Sequence, residues 1–331
     1  MIKVVFALGA ENGGALSNLR ELYNQAKEDR NDLWYFVVSV AQLQSEENIK
    51  VLNYPTVKKS WFHRLWFDVF IYKKIVQKYK PDEIHNQQTY FRQKGGNARY
   101  FFYETNALFF TEVRIKPTDS FSLWLRKVLL YPFEKYSIKH SDVVIVESDW
   151  LRKTILLKLG VPDNKIMVKH HNVVLPAVFS AVNTEGSITV FFYPASAFFY
   201  KNHVVIIEAL KLLPKRGCKV VFTLTGTENK LIRKLKTEAR KFDLPILWNG
   251  NMSKTEMVEM YNSSILLFPS FLESAGLPLY EARLLNRPII CADFEYSKYA
   301  MSGYNNVVFF SYNNSQQLAE LMKQHMGVHN A

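Results

Sequence analysis

The stretch 265–282, ILLFPSFLESAGLPLYEA, sets the reading of the whole chain. Four consecutive apolar residues halted by Pro269-Ser270 have the length and the boundary of a buried strand. Gly276 and Pro278 then open a helical pattern, with the proline placed at the first helical position, where its missing N–H costs little. The loop between them carries Glu273. The helix carries Glu281 one turn in, about 5 Å of rise from its start. Both carboxylates thus fall near one helix N-terminus, which stabilises ionised acids and equally attracts a phosphate. Carboxylates accept hydrogen bonds from hydroxyls, so the pair suits a ligand with a hydroxylated ring at each end and phosphates in the middle, such as a nucleoside diphosphate sugar. The competing reading is an acidic helix start that serves the helix dipole alone.

Outward from this stretch the same strand–loop–helix rhythm repeats. From 187 the strands SITVFFYPA, CKVVFTLTG, PILWNG, ILLFPS, PIICAD and NVVFF alternate with helical patterns as far as NSQQLAELMKQHM. In the first half strands are expected at 2–8, 33–40, 98–104 and 142–148, and helices at 14–28, 60–80, 120–140 and 149–159. Leu130-Tyr131-Pro132 is expected to kink or split the third of these helices. Two successive doubly wound α/β units follow from the pattern, residues 1–175 and 176–331, joined through the aperiodic stretch 172–186. At 331 residues with 48% hydrophobic content, both units have material for a core. The only two cysteines, Cys218 and Cys291, lie in apolar runs and read as buried reduced thiols, with no disulfide frame. The start, MIKVVFALGAEN, reads as a first strand rather than a secretory leader, and no apolar run approaches the ~20 residues of a membrane span. A cytoplasmic location is expected.

Open parallel sheets bind ligands beyond the carboxyl ends of their strands, which directs attention to the loops there. After the first strand, GAENGGAL places Gly13 and Gly14 directly ahead of a helix, where the absent Cβ lets backbone approach a ligand. After SITVFFYPA, the loop SAFFYKNH sets Lys201 at a helix start, a counter-charge for phosphate. Net charge is +12, and residues 41–140 hold 17 Lys/Arg against 9 Asp/Glu, interleaved with aromatics at 60–80 and 120–140. That mixture suits anionic lipid headgroups, nucleic acid or an anionic substrate. Amphipathic helices with core aromatics and solvated lysines are the alternative.

The segment ESAGLPLYE, with its flanks LLFPSFLESAGLPLYEARLLNRPIICAD, resembles the E-x7-E motif of the family 4 retaining glycosyltransferases; 140–173 and 193–210 are similar to that family as well. The resemblance implies the GT-B fold, two Rossmann-like domains facing a central cleft, with acceptor bound by the first and nucleotide sugar by the second. It further implies that Glu281 holds the ribose hydroxyls and Glu273 the transferred sugar, beside Ser274. The amides of Gly276 and Leu277, with Lys201, would take the diphosphate, Gly13 and Gly14 would approach from the first domain, and Asn251 and Met252 would lie at the base. Two departures stand out. The family's Gly-Arg before the lysine is absent from YPASAFFYK, and the histidine usual after the strand near 98–104 gives way to Glu104, Thr105 and Asn106. Glu104 becomes a candidate to polarise an acceptor hydroxyl, His85 a further cleft candidate, and His170 and His171 structural residues.

The expected activity is therefore metal-independent, retaining transfer of a hexose to a saccharide acceptor, lipid-linked, in capsule- or O-antigen-type glycan assembly. No cofactor beyond the donor is expected, nor nucleic acid as a partner. The basic aromatic stretches 60–80 and 120–140 would meet an anionic membrane surface, making the protein peripheral on the inner face. A catalytically silent nucleotide-sugar-binding scaffold and a basic nucleic-acid-binding protein are the rivals; donor turnover separates the first, and salt-dependent RNA binding the second.

Overall fold

The computed structural model describes residues 1–11, 13–87, 97–170, 173–177 and 188–327. The chain forms two units, Met1–Phe110 with Arg114–His170, and Thr111–Val113 with His171–Ala331.

The first unit runs β1 Ile2–Ala7, α1 Gly13–Glu28, β2 Leu33–Val38, β3 Ile49–Asn53, α2 Trp61–Trp66, a π-helical turn Phe67–Ile71, α3 Tyr72–Tyr79, β4 Glu83–Gln87, β5 Arg99–Glu104, α4 Phe121–His140, β6 Val143–Val146, α5 Asp149–Leu159 and β7 Ile166–Val168. Among the described residues its seven strands order as β3-β2-β1-β4-β5-β6-β7, all parallel. Val4, Val5, Phe6, Phe36, Val144 and Val146 are buried on both sheet faces, which is why these strands read as continuous apolar runs. Three strands escape the sequence pattern. β3 and β7 are short edge strands, and β4 (EIHNQ) has one apolar residue, because its histidine and amides are themselves buried.

The long helical pattern at 60–80 is realised as α2, the π turn and α3 in succession. Pro132 does not split α4, which is continuous over 20 residues. The proline is on the exposed side, where water can satisfy the carbonyl that loses its amide partner.

In the second unit the order is β8 Thr189–Tyr193, α6 His203–Lys211, β9 Cys218–Phe222, α7 Lys230–Lys241, β10 Ile246–Trp248, α8 Lys254–Asn262, β11 Ile265–Phe268, α9 Leu277–Leu284, β12 Ile289–Ala292, α10 Glu295–Ala300, β13 Val307–Phe310 and α11 Ser315–Gly327. The strands order as β10-β9-β8-β11-β12-β13, again all parallel. α10 was not anticipated from the sequence: it is six residues long and mostly polar or aromatic, too short to show a period. Cys218 and Cys291 are free, buried thiols, as read. Of the connection at 172–186, residues 172 and 178–186 lie outside the described residues, as does His171.

In each sheet the winding reverses once, between β1 and β4 and between β8 and β11. At such a reversal the two following loops diverge to opposite faces and leave a crevice at the carboxyl ends. In the second unit those loops are 194–202 and 269–276.

Candidate functional site

The topology brings together two residues 72 positions apart. Lys201 follows β8 and Glu273 follows β11; the Lys201 Nζ donates to Glu273 Oε1 at 2.5 Å. Both side chains are mostly enclosed, 16% and 13% exposed, so solvent screens the pair weakly. Backbone bonds hold the two loops in register. Tyr200 O accepts from Phe271 N (3.0 Å) and from the Ser270 hydroxyl (3.2 Å). The Asn202 amide donates to Pro269 O (3.2 Å) and Tyr312 O (2.7 Å) from a left-handed backbone, φ 56°. Buried Tyr193 at the end of β8 donates its hydroxyl to Lys201 O (2.6 Å), and buried Tyr296 donates to Ser270 O (2.5 Å).

Beyond Glu273 and Ser274 the chain turns at Gly276, φ 72° and ψ 54°, into α9. A Cβ at Gly276 would meet Leu279 at 3.3 Å and Tyr296 at 3.4 Å in a backbone region that L residues rarely adopt. The N-cap position is Gly276, which has no side chain to cap this helix start. Leu277 is the first helical residue and Pro278 the second, one position later than the sequence suggested, so the first-turn amides near Glu273 are those of Gly276 and Leu277.

Glu281 is held by a residue that sequence reasoning missed. Tyr261 of α8, buried, donates its hydroxyl to Glu281 Oε2 at 2.7 Å. Burial raises the Glu281 carboxyl above the ordinary carboxylate value, opposed by the Tyr261 hydrogen bond and then by the charge of Lys254. The Tyr261 phenol is likewise pushed far up by burial and by the adjacent acid, so it stays a donor. Nothing in EMYNSS marks Tyr261 as more than an apolar helical position; only the packing of α8 against the sheet aims it at α9.

His203 opens α6 with its ring between Tyr193 (4.9 Å) and Phe222 (5.3 Å). Burial and the nearby Lys201 charge lower it to about 3, so the imidazole is neutral. Asn251 and Met252 follow β10, the edge strand two places from the reversal, at the carboxyl end where Gly250 N donates to Leu224 O. Asn251 is exposed and Met252 half-buried.

In the first unit Gly13 and Gly14 are the opening residues of α1 rather than the loop before it. His85 and Glu104 are placed differently from expectation. His85 is a core residue: its ring stacks on Phe101 (4.5 Å, 4°) and it bridges Tyr103 OH (3.0 Å) and Glu83 Oε2 (3.1 Å). Burial lowers its basicity, so it is neutral, donating through Nε2 to Glu83 and accepting from Tyr103 at Nδ1. Glu104 is fully buried at the end of β5, accepting from Asn106 N at 2.7 Å and sharing a hydrogen bond with Glu134 of α4. Desolvation pushes Glu104 up to about 7, and desolvation together with the Glu104 charge raises Glu134 further. Two carboxyls in that setting hold one proton between them, which makes Glu104 part of an interior pair and not an exposed acid. Asn106 caps the turn Ala107–Phe109 by accepting from Leu108 N, with Thr105 half-buried beside it. His170 pairs with Asp149 at 3.3 Å, largely exposed.

The two Rossmann-like units match solved structures over nearly their full length. A sucrose-phosphate synthase from Thermosynechococcus elongatus superposes with TM-score 0.75 at 12% identity, covering 99% of this chain and 90% of that one. WaaG, a glycosyltransferase involved in lipopolysaccharide biosynthesis, gives 0.71 at 13%, over 100% and 91%. Anabaena HepE in complex with UDP-glucose gives 0.69 at 14%, over 100% and 91%. The fold is GT-B. Residues 179–326, which carry Lys201, Glu273 and Glu281, match the family model described as glycosyl transferases group 1. No curated protein is similar enough in sequence to be matched.

Proposed function

We propose that the protein is a retaining, metal-independent glycosyltransferase that moves a hexose from a nucleoside diphosphate sugar to a saccharide acceptor. The observation that carries this is the meeting of Lys201 and Glu273 at the sheet reversal, beside the Gly276 start of α9, inside the segment that matches the group 1 model. The difficult step is departure of the nucleoside diphosphate from the anomeric carbon. Negative charge grows on the leaving phosphate, so fixed donors aimed there lower the barrier most. Lys201 and the amides of Gly276 and Leu277 are those donors, Glu273 accepts from hydroxyls of the transferred sugar, and Glu281 accepts from the ribose. Asn251 and Met252 meet the base in this reading. Transfer on the front face, with the leaving phosphate taking the acceptor proton, needs no nucleophile from the chain. It therefore does not require Glu104, whose buried pairing with Glu134 favours a supporting role. The HepE complex holds UDP-glucose, which supports a donor of that class.

The acceptor is lipid-linked in this reading, in surface-glycan assembly of the capsule or O-antigen type and at the inner membrane face. WaaG's role in lipopolysaccharide biosynthesis is in line with it. So is the surface of the first unit: Trp61 and Phe62 are 73% and 83% exposed, with Trp66 and Phe70 also outward, and α4 exposes Phe121, Val128, Leu129, Phe133 and Tyr136. These aromatics are not core, and lysines and arginines exceed acids around them, an arrangement that suits an anionic interface. Among the described residues no helix is long and apolar enough to cross a membrane. A thermal-shift panel of sugar nucleotides, followed by donor-hydrolysis and transfer assays on the hits, tests the function. Stabilisation with turnover is expected. Binding without any turnover would establish the silent scaffold instead, and no binding by any donor would sink the reading.

A further inference from the structure

We propose that Glu273 makes the site discriminate against the spent nucleoside diphosphate and in favour of the intact sugar nucleotide, by competing with the diphosphate for Lys201. This rests on the donor-site reading above and assigns Glu273 a role additional to contacting the sugar.

A single lysine is a serviceable diphosphate ligand when its charge is free. Here the charge is already neutralised, since Lys201 Nζ lies 2.5 Å from Glu273 Oε1. The pair is held from both sides. Its loops are tied by Tyr200 O to Phe271 N and by Asn202 to Pro269 O, and the Lys201 ammonium also lies 5.5 Å from the centroid of the Tyr200 ring. Among the described residues no second cation is within ion-pair distance of Glu273. Around the carboxylate are groups that do not replace a cation: the Tyr193 and Tyr296 hydroxyls, whose acidity burial and then the Glu273 charge depress, are committed to backbone carbonyls.

Two ligands then meet different balances. A nucleoside diphosphate that draws Lys201 onto its phosphates leaves Glu273 without its cation, only 13% exposed to water and close to a second anion; a largely desolvated carboxylate in that state is unfavourable. A sugar nucleotide draws the same lysine but brings hydroxyls that donate to Glu273 in the lysine's place. The ion pair is exchanged without loss for the substrate and with loss for the product. After transfer, the sugar leaves, Glu273 recaptures Lys201, and the diphosphate is released.

The test uses matched pairs, UDP with UDP-glucose, GDP with GDP-mannose and ADP with ADP-glucose, titrated calorimetrically into the full chain; the pair that binds wild type is carried forward. Glu273→Gln keeps the side-chain shape and frees Lys201. It should tighten the diphosphate about tenfold and weaken the sugar nucleotide about tenfold, shifting their ratio roughly 100-fold. Glu273→Ala should tighten the diphosphate with the same sign, so that the inference does not depend on one variant folding. Equal weakening of both ligands, or an unchanged diphosphate affinity in both variants, overturns the inference while leaving the donor site standing. Absence of binding by every pair to wild type overturns the donor reading and this inference with it.

Discussion

Replacing Tyr261 by Phe removes one oxygen from a buried ring and leaves the apolar contacts of α8 in place, including the edge contact with Phe192 at 5.3 Å. What is lost is the donor to Glu281 Oε2 at 2.7 Å. A hydrogen bond to a charged group contributes about 1.5–3 kcal/mol, and a buried acceptor stripped of its donor bears that loss nearly in full. The consequence depends on pH, because Glu281 can escape the penalty by taking a proton. Its carboxyl already sits above the ordinary carboxylate value, chiefly from burial, and the Tyr261 bond is what holds it down. A carboxyl raised in the folded state contributes stability that is full below the unfolded value and is lost as pH rises through the folded value. Without the phenol the folded value rises further, so the variant should match wild type at pH 4.5 or below and fall behind by about 1.5–3 kcal/mol at pH 8. For a unit of this size that is a drop of roughly 4–10 °C in Tm. Donor affinity at pH 8 should fall about tenfold as Glu281 loses its fixed orientation. Thermal melts across pH 4.5–8, combined with a cycle against Glu281→Gln, check this. In the Gln background the Tyr261 change should cost little. An equal deficit at low and high pH, or full additivity in the cycle, would refute the claim that the phenol acts through the carboxylate.

The Glu104–Glu134 pair predicts a second pH effect. Both carboxyls are raised by burial, so their contribution is complete below about pH 4.5 and begins to be lost as pH climbs through 7 and the first of the pair's two protons leaves; Glu134→Gln should flatten that decline in melts from pH 5 to 8. Gly276→Ala should cost about 1–2 kcal/mol of stability, read as a lowered Tm, because the left-handed backbone disfavours a Cβ and Leu279 and Tyr296 crowd it. Serine at Trp61, Phe62 and Trp66 together should leave the melt within about 1 °C, since all three are exposed, yet abolish co-sedimentation with anionic vesicles. Wild type failing to sediment with such vesicles at physiological salt would remove the membrane argument altogether. Lys201→Ala should abolish donor turnover with the fold intact by circular dichroism.

The repeated α/β winding is legible in the residues alone, because parallel strands buried on both faces and the helices between them write their periods into the chain. The sequence also marked Glu273, Glu281, Gly276 and Lys201, because a helix start after a buried strand has few ways to be built and polar residues there have few reasons to exist. Tertiary structure alone decided which of these meet. Strand order is not local, and only the reversal between β8 and β11 puts Lys201 on Glu273. It alone supplied Tyr261, an apolar helical position by pattern, and it alone turned His85 and Glu104 inward. Burial of a polar side chain depends on what packs over it, and a neighbour distant in sequence leaves no trace in the local period. The aromatics of 60–80 and 120–140 show the same limit in the other direction: composition called for an interface or a core, and only the packing of the helices against the sheet left Trp61, Phe62 and Phe121 in water.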